Sequence, residues 1–347
     1  MTLTRRNSES KKSIKLEEIV RLVEGELVGD RSVTITGVAG IKEAQKGDIT
    51  FLANAKYLPF LEETQASAII TSKEVHSSGK TLVRTVNPSL AFTRVLSIFS
   101  DSKPERPEGV HPSAVLHKTA RLGGRVSIGP HVVIEKDVVI GDNTVIEAGV
   151  FIGEACVLGA DVWIYPNVTI REATQIRDRV MIHSGTVIGS DGFGYETVDG
   201  SRIKIPHTGW VLIEEDVEIG ANVCVDRGRF SKTWIQKGAK IDNLVQIAHN
   251  VVIGPNCLVV SQCGISGSSE LGKNVVLAGQ VGLVGHITLG DNTIVGARSG
   301  VSKSFPMGSV LLGEPARPIA EQKKILAVIA KLPELFKDIL ELKKKAR

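Results

Sequence analysis

Aliphatic residues recur at every sixth position along most of this chain, a period that matches neither an α-helix nor a β-strand. Fourteen consecutive members of the series run from Val110 to Ile188. The series restarts for three members at Ile213, shifts by four residues, and continues for twelve more from Ile235 to Val301. With 42% hydrophobic residues overall, fourteen matches in a row have a chance probability of about five in a million, so the period itself predicts the architecture.

Such a series predicts a solenoid built from six-residue units, each of which is a short strand followed by a corner. The position four residues after the aliphatic one is small or β-branched in most units, as in Val132, Val138 and Thr144. Three units close one triangular coil of eighteen residues, with aliphatic side chains inside and Gly, Asp or Asn at the corners. The twenty-nine units therefore predict nearly ten coils of parallel β-solenoid.

The residues before the repeats have ordinary periodicities, and segment 15–107 is predicted to form a compact α/β domain. Helices are predicted over Leu16–Val23, Tyr57–Glu63 and Asn87–Phe99, and strands over Val33–Val38, Asp48–Leu52, Ala68–Thr71 and Thr81–Val86. Segment 1–14 is mostly polar and basic, which predicts a disordered tail. Two prolines between Asp101 and Gly109 predict a linker to the solenoid.

The solenoid is predicted over segment 108–317, and segment 318–347 returns to helical periodicity. An apolar stripe in this last segment is interrupted by Pro333, which cannot donate a helical hydrogen bond. A pair of helices that caps the solenoid or bundles with neighbouring chains is therefore expected.

Composition excludes several classes of function. The net charge of +4 is modest and charges of both signs alternate, so nothing indicates a nucleic-acid partner. No apolar stretch is long enough for a signal peptide core or a transmembrane segment, and a cytoplasmic protein is expected. Cys156, Cys257 and Cys263 occupy inward positions of the repeat and Cys224 stands alone, which predicts buried free thiols and no metal or other cofactor.

Two histidines stand out as candidate bases. His249 and His286 lie in units that begin at Ile247 and Leu283, thirty-six residues or two coils apart. They are expected on the same face, about 9.5 Å apart along the axis, which fits either one elongated substrate site or two solvated turns. His207 lies in an insertion, Gly189–Gly209, and could line the mouth of a site. The zinc-bearing γ-class carbonic anhydrases share this kind of solenoid and hold their metal with three histidines, two of them close in sequence. No such pair occurs near His249 or His286, which argues against a metal site here.

Several longer motifs occur together in the chain, and they are Gly189–Gly194, Val225–Gly228, Lys240–Gly254, Gly279–Gly282 and Gly285–His286. In this order they resemble the UDP-3-O-(3-hydroxyacyl)glucosamine N-acyltransferase family of lipid A synthesis, over residues 15–318. The resemblance implies a left-handed parallel β-helix with an N-terminal α/β domain and C-terminal helices. It also implies a homotrimer that moves a 3-hydroxyacyl chain from acyl carrier protein to the 2-amine of UDP-3-O-acylglucosamine.

The resemblance assigns roles to four residues around the candidate bases. His249 is expected to be the general base, because an imidazole titrates near neutral pH. Asp242, seven residues earlier, is expected to orient the imidazole. The backbone N–H of Gly267 on the adjacent coil is a candidate oxyanion donor, and His286 is expected to assist binding of the donor arm or the sugar phosphates.

Two further subsites follow from the same resemblance. In the segment Asp48–Tyr57, Phe51 and Tyr57 are expected to stack on a uracil ring while Asn54 bonds its edge. The alternative for Phe51 is a core residue of a strand. Gly300 is expected to remove the floor of the acyl groove, since some family members carry a bulky residue there, and so to admit a longer chain.

Three other functions fit the same residues less well. The O-acyltransferase of the same pathway begins almost directly with its repeats, so segment 15–107 argues against it. A nucleotidyl-acetyltransferase needs a larger Rossmann-like front domain. A scaffold without catalytic activity would give His249 and His286 no purpose, and fold alone does not decide the question.

Overall fold

The computed structural model describes residues 12–77, 79–100 and 109–345. Its chain divides into two compact units, Met1–Glu105 and Arg106–Arg347. The predicted tail falls almost entirely outside the described residues, and so does the predicted linker up to residue 108.

The N-terminal unit is built on a five-stranded sheet. Its strands lie in the order Glu26–Val28, Leu82–Thr85, Ala68–Ser72, Asp48–Leu52 and Gly37–Val38. The first pair is antiparallel and the others are parallel. Helices α1 (Leu16–Leu22) and α2 (Pro88–Phe99) contribute to one apolar cluster with the sheet, and residues around Leu61 contribute to a second.

The predicted helix over Tyr57–Glu63 is wrong in type and position. The segment forms a 3₁₀ helix at Ala55–Phe60, with the Asn54 side chain accepting a hydrogen bond from Lys56 N–H. Pro59 lies inside it and cannot donate a backbone bond, which favours a short helix. The predicted strand Val33–Val38 is two strands, Thr34–Ile35, which pairs with Ile14–Lys15, and Gly37–Val38 in the main sheet.

The repeats form a left-handed parallel β-helix with three faces, as predicted. Face 1 contains the strands Val115–Leu116, Val133–Ile134, Phe151–Ile152, Thr169–Ile170, Val187–Ser190, Cys224–Asp226, Gln246–Ile247, Gly264–Ile265, Gly282–Leu283 and Gly300–Val301. Face 2 contains Arg121–Leu122, Val139–Ile140, Val157–Leu158, Gln175–Ile176, Trp210–Ile213, Lys232–Ile235, Val252–Ile253, Glu270–Leu271 and Thr288–Leu289. Face 3 contains Ser127–Ile128, Val145–Ile146, Trp163–Ile164, Met181–Ile182, Glu218–Ile219, Lys240–Ile241, Leu258–Val259, Val276–Leu277, Ile294–Val295, Val310–Leu312 and Arg317–Pro318.

The aliphatic series forms the core of the solenoid. Its members from Ile128 to Val301 are buried, and the small residues between them, such as Val132 and Thr144, are buried with them. Val110 and Leu122 in the first coil are 47% and 36% exposed because no earlier coil covers them. The residue three positions after the aliphatic one adopts a left-handed backbone, for example Asn143 at φ 58°, where Asn and Asp are tolerated best.

Both insertions leave the solenoid at the corner between face 1 and face 2. The first follows the strand Val187–Ser190 and contains an antiparallel hairpin, Tyr195–Val198 with Ser201–Lys204. The second lies between Cys224–Asp226 and Lys232–Ile235. Because they come from neighbouring coils, the two insertions build up the same edge of the solenoid.

The C-terminal segment is one helix, α3 (Ile319–Lys345), and not the expected pair. Pro333 lies inside it, and the residues on either side are good helix formers that continue the helix past the missing hydrogen bond. Among the described residues, no helix combines the length and apolar character that a membrane crossing requires.

All four cysteines are free, and Cys156, Cys257 and Cys263 are buried as predicted. Burial raises the pKa of Cys156 to about 12 and that of Cys257 to about 11. Cys224 is only partly buried. Because the thiolate is the reactive form and must be accessible, the three buried thiols should resist alkylation.

We expect a thiol reagent at neutral pH to modify Cys224 much faster than the other three cysteines of the native protein. Mass spectrometry of peptides from timed alkylation measures the four rates, and the urea-unfolded chain is the control in which all four react alike. Equal rates at Cys156 and Cys224 in the native protein would contradict this burial pattern.

Candidate active site

The corner between face 1 and face 2 collects the candidate residues from three successive coils. Ile247 pairs in register with Ile265, and Ile265 pairs with Leu283. The corner residues that follow are therefore stacked in the order His249–Asn250, Gly267–Ser268 and Gly285–His286. The spacing had predicted this placement of His249 and His286, two coils apart on one edge.

Asn250 determines which nitrogen of His249 carries the proton. Its side-chain Oδ1 accepts a hydrogen bond from the backbone N–H of Arg229 at 2.9 Å, so this atom is an acceptor. His249 Nδ1 lies 3.2 Å from the same oxygen and must donate to it. Nε2 of the neutral ring is then left with a free lone pair, which is the state that a general base needs.

Gly267 lies directly against the reactive edge of His249. A β-carbon built on Gly267 would be 2.7 Å from both Nε2 and Cε1 of the imidazole, so any larger residue would displace the ring. The backbone N–H of Gly267 has no hydrogen-bond acceptor among the described residues. A free backbone donor therefore stands beside the free imidazole nitrogen.

The first insertion encloses the other side of His249. A β-carbon on Gly192 would lie 2.7 Å from His207 Nε2 and 2.9 Å from Cβ and Cδ2 of His249. The His207 and His249 rings are 5.3 Å apart between centroids. His207 is 6% exposed, its Nδ1 lies 3.0 Å from Ile205 O, and its Nε2 has no partner among the described residues.

Asp226 is the buried carboxylate of this corner. It accepts hydrogen bonds from Ser190 Oγ at 3.0 Å and Gln246 Nε2 at 3.2 Å, and it is 7% exposed. Burial raises its pKa, while these two hydrogen bonds and the nearby His249 and His207 act in the opposite direction. The corner therefore brings a buried carboxylate and two imidazoles together in a partly water-excluded space.

The expected pairing of Asp242 with His249 is wrong within the chain. Asp242 follows the strand Lys240–Ile241 on face 3, so it lies at the corner between face 3 and face 1. There its carboxylate accepts the backbone N–H groups of Asn243 and Ser261, at 2.7 and 3.1 Å. The two residues are seven positions apart, and each unit of six residues contains one strand and one corner. Asp242 and His249 therefore lie at successive corners of the coil.

His286 occupies a corner position with a left-handed backbone, at φ 60°. Its side chain is exposed, and its N–H donates to the carbonyl of Gly267 at 3.1 Å. The backbone of His286 thus supports the Gly267 turn, while the ring stands on the solvent side one coil further along.

An apolar groove begins beside His249 and runs along face 1. Gln246, Gly264, Gly282 and Gly300 follow one another in register along its floor. The cavity has a volume of about 610 Å³, and its further lining residues are Ala248, Ile265, Ser266, Leu283, Val284, Val301, Ser302, Glu314 and Pro315. A β-carbon on Gly264 or Gly282 would meet no atom within 4 Å, so these glycines leave the groove open.

The N-terminal unit contains a separate cavity of about 570 Å³ that Phe51, Asn54 and Tyr57 line together. Phe51 also stacks on Phe92 with centroids 4.4 Å apart, so it is both a packing residue and a cavity residue. Tyr57 is 42% exposed. Since Asn54 Oδ1 caps the 3₁₀ helix, the amide nitrogen is the part of this side chain that is free to bond a ligand.

Sequence reasoning missed three residues of the corner: Asn250, Asp226 and Gly192. Asn250 and Asp226 lie inside the motifs Lys240–Gly254 and Val225–Gly228, but sequence analysis assigned them no role. His207 was expected only at the mouth of the site. The phase of the repeat could have revealed them, because both insertions interrupt it after a face 1 strand. They therefore leave from the corner that carries His249, which places Ser190–Gly192 and Asp226 beside it. Within the described ranges, no group of three or more His, Cys, Asp or Glu residues is arranged to hold a metal ion.

Comparison with known proteins shows which family the chain resembles. Residues 32–98 match the family model for UDP-3-O-(3-hydroxymyristoyl) glucosamine N-acyltransferase, LpxD, and residues 119–154, 155–190 and 232–267 match the bacterial transferase hexapeptide model. The chain is 51% identical to the UDP-3-O-acylglucosamine N-acyltransferase of Methylacidiphilum infernorum, over 96% of this chain and 95% of that protein. It is 47% identical to the enzyme of the same name from Desulfotalea psychrophila, over 96% and 97% of the two chains.

Among solved structures, the Arabidopsis UDP-N-acetylglucosamine acyltransferase superposes with a TM-score of 0.56 at 23% identity, covering 60% of this chain and 73% of that chain. That likeness concerns the fold alone. The similarity to the curated relatives goes further, since it extends over 96% of this chain and therefore over both units. The chain belongs to the UDP-3-O-acylglucosamine N-acyltransferase family.

Proposed function

We propose that this enzyme transfers a 3-hydroxyacyl chain from acyl carrier protein to the 2-amine of UDP-3-O-acylglucosamine in lipid A synthesis. The observation that carries the proposal is the arrangement at the head of the face 1 groove. There, His249 with a free Nε2 lies against Gly267 with a free N–H. A base, an oxyanion donor and an apolar channel are the parts that acyl transfer to an amine requires.

In the proposed reaction the 2-amine attacks the thioester carbonyl and forms a bond between nitrogen and carbon. His249 Nε2 takes the proton that the nitrogen loses, and the developing oxyanion accepts a hydrogen bond from Gly267 N–H. The intermediate then breaks its carbon–sulfur bond, and the His249 imidazolium returns the proton to the departing thiolate of acyl carrier protein. The products are an amide and a free thiol, so atoms and protons balance.

The polar residues around His249 support this cycle electrostatically. Asn250 holds the tautomer that leaves Nε2 unprotonated, and this contact takes the orienting role first expected of Asp242. The nearby carboxylate of Asp226 favours the imidazolium once it forms, because opposite charges attract strongly at a site with little water. His286 stands one coil beyond Gly267, and we assign it to binding of the donor arm or the sugar phosphates.

The face 1 groove is the proposed site of the acyl chain. It starts at Ala248, directly before His249, and the glycines of its floor leave space for a hydrocarbon along the two coil spacings from Gln246 to Gly282, about 10 Å. Burial of methylene groups there stabilises the bound donor by the hydrophobic effect.

The cavity of the N-terminal unit is the proposed uridine site. Phe51 and Tyr57 offer aromatic surface to a uracil ring, and the Asn54 amide can donate to one of its carbonyl oxygens.

The proposed active form is a homotrimer. Face 3 exposes an apolar row of Leu258, Val260, Ile294 and Val310, between 38% and 45% exposed each. The apolar stripe of α3 is exposed as well in the single chain, through Leu326, Ile329, Leu332, Leu335, Ile339 and Leu342. Exposed apolar surface of this extent is typical of an interface, and copies of the chain packed side by side would cover it.

We expect His249→Ala to lower kcat by about 10²- to 10⁴-fold with little change in the KM for the UDP-sugar, since the base acts in the transition state. His286→Ala should cost less. The assay follows acylation of the UDP-2-amino sugar by 3-hydroxyacyl-loaded acyl carrier protein, a reaction that the O-acyltransferase and a scaffold would not perform.

His131→Ala is the matched control for His286→Ala, because His131 is another corner histidine with a left-handed backbone, at φ 58°. His131→Ala should leave kcat and the KM for the UDP-sugar unchanged. If His249→Ala kept more than about a tenth of the wild-type kcat, a base role for His249 would be wrong.

Tyr57→Ala should raise the KM for the UDP-sugar and leave kcat nearly unchanged, because stacking on a base contributes binding and not chemistry. Stacking on one aromatic ring contributes about 1–3 kcal/mol, so the KM should rise by roughly 5- to 150-fold. Calorimetric titration with UDP should show the same loss. Leu58→Ala is the control, since Leu58 is 43% exposed on the same helix but lines a different cavity; an unaltered UDP affinity in Tyr57→Ala would remove Tyr57 from the site.

Sedimentation velocity at micromolar concentration should give a particle of three times the mass of one chain. Ile294→Lys should shift it toward the monomer, because it places a charge in the proposed interface. Val157→Lys, at a face 2 position with 39% exposure, is the control and should leave the trimer intact. A stable wild-type monomer would rule the trimer out.

A further inference from the structure

We infer that Glu314 closes the far end of the face 1 groove and determines the longest acyl chain that the enzyme accepts. This inference rests on the proposed acyl transfer and adds a residue that specifies its substrate. It changes the expectation for Gly300, which on sequence alone was expected to open the groove to longer chains.

The space beside Gly300 is occupied from outside its own coil. A β-carbon on Gly264 or Gly282 would meet nothing within 4 Å, whereas one on Gly300 would lie 3.3 Å from Glu314 Cγ and 3.8 Å from its Cδ and Oε1. The glycine series therefore opens the groove over two coils, and at the third coil the Glu314 side chain takes the room that the missing side chain leaves.

The segment that carries Glu314 is held firmly to the last coil. Gly300 N–H donates to Gly313 O at 3.1 Å, and Ala316 N–H donates to Gly300 O at 2.7 Å. Gly313 N–H also donates to Ser299 Oγ at 3.0 Å. Because hydrogen bonds fix the backbone on both sides of Glu314, its exposed side chain starts from a fixed point at the end of the groove.

The chemistry of Glu314 suits a stop for a hydrocarbon. The groove floor between Gln246 and Gly300 is apolar apart from Gln246 itself, and Glu314 adds a carboxylate at the opposite end from His249. A methyl terminus pushed against this group would remove water from a charge, which costs more than burial of the methyl group returns. Bulk and charge therefore both oppose a chain that extends past Gly282.

The test is a chain-length profile, measured as kcat/KM with 3-hydroxyacyl donors of increasing length on acyl carrier protein. For wild type we expect a sharp decline beyond one length. Glu314→Ala should move that decline to longer chains and raise kcat/KM for the first excluded donor at least about tenfold, a change of about 1.4 kcal/mol. Glu314→Gln keeps the bulk without the charge and should shift the profile in the same direction by less.

Two further variants complete the test. Gly300→Met should shift the preference toward shorter chains, because its side chain adds to the obstruction. Glu270→Ala, which removes an exposed carboxylate from face 2, should leave the profile unchanged. Thermal unfolding of each variant verifies that the solenoid remains folded.

An unchanged profile in both Glu314 variants, with an active and folded enzyme, would overturn the role of Glu314 while leaving the proposed function intact. Failure of the wild-type enzyme to acylate the UDP-amino sugar from any donor would overturn the proposed function itself, and the inference with it.

Discussion

In-register stacking of eighteen-residue coils is the constraint on which the rest of this structure depends. Each coil donates its backbone hydrogen bonds to the next, so Gln246, Gly264, Gly282 and Gly300 share one row along face 1. A buried aliphatic residue at every sixth position holds the register, because a slip by one residue would turn that side chain out of the core. Distances along the axis are therefore multiples of one strand spacing.

The candidate catalytic residues lie at a single corner of this scaffold. His249, Gly267 and His286 come from three coils, and both insertions emerge on the same edge. The result is an imidazole with its Nδ1 committed to Asn250 and its Nε2 directed at a glycine that no larger residue could replace. The groove that begins there needs no separate element, because Gly264 and Gly282 stand in register and leave its floor open.

Much of this could be read from residue spacing, and the failures have physical causes. Coil number, corner residues and the shared edge of His249 and His286 all follow from the six-residue period. Within one chain Asp242 does not contact His249, because residues one unit apart lie at different corners of the coil. Pro333 does not end the C-terminal helix, because the helix propensity of the residues on either side offsets the loss of one hydrogen bond.

The sequence by itself determined the solenoid, its phase and the corner that carries the histidines, since these depend on local periodicity and on contacts that repeat every eighteen residues. Only the tertiary structure decided the tautomer of His249, the burial of His207 and Asp226 beside it, and the position of Glu314 over Gly300. These features arise where insertions and the segment after the last coil fold back on the repeats. Such contacts join residues at irregular separations, and a periodic pattern carries no information about them.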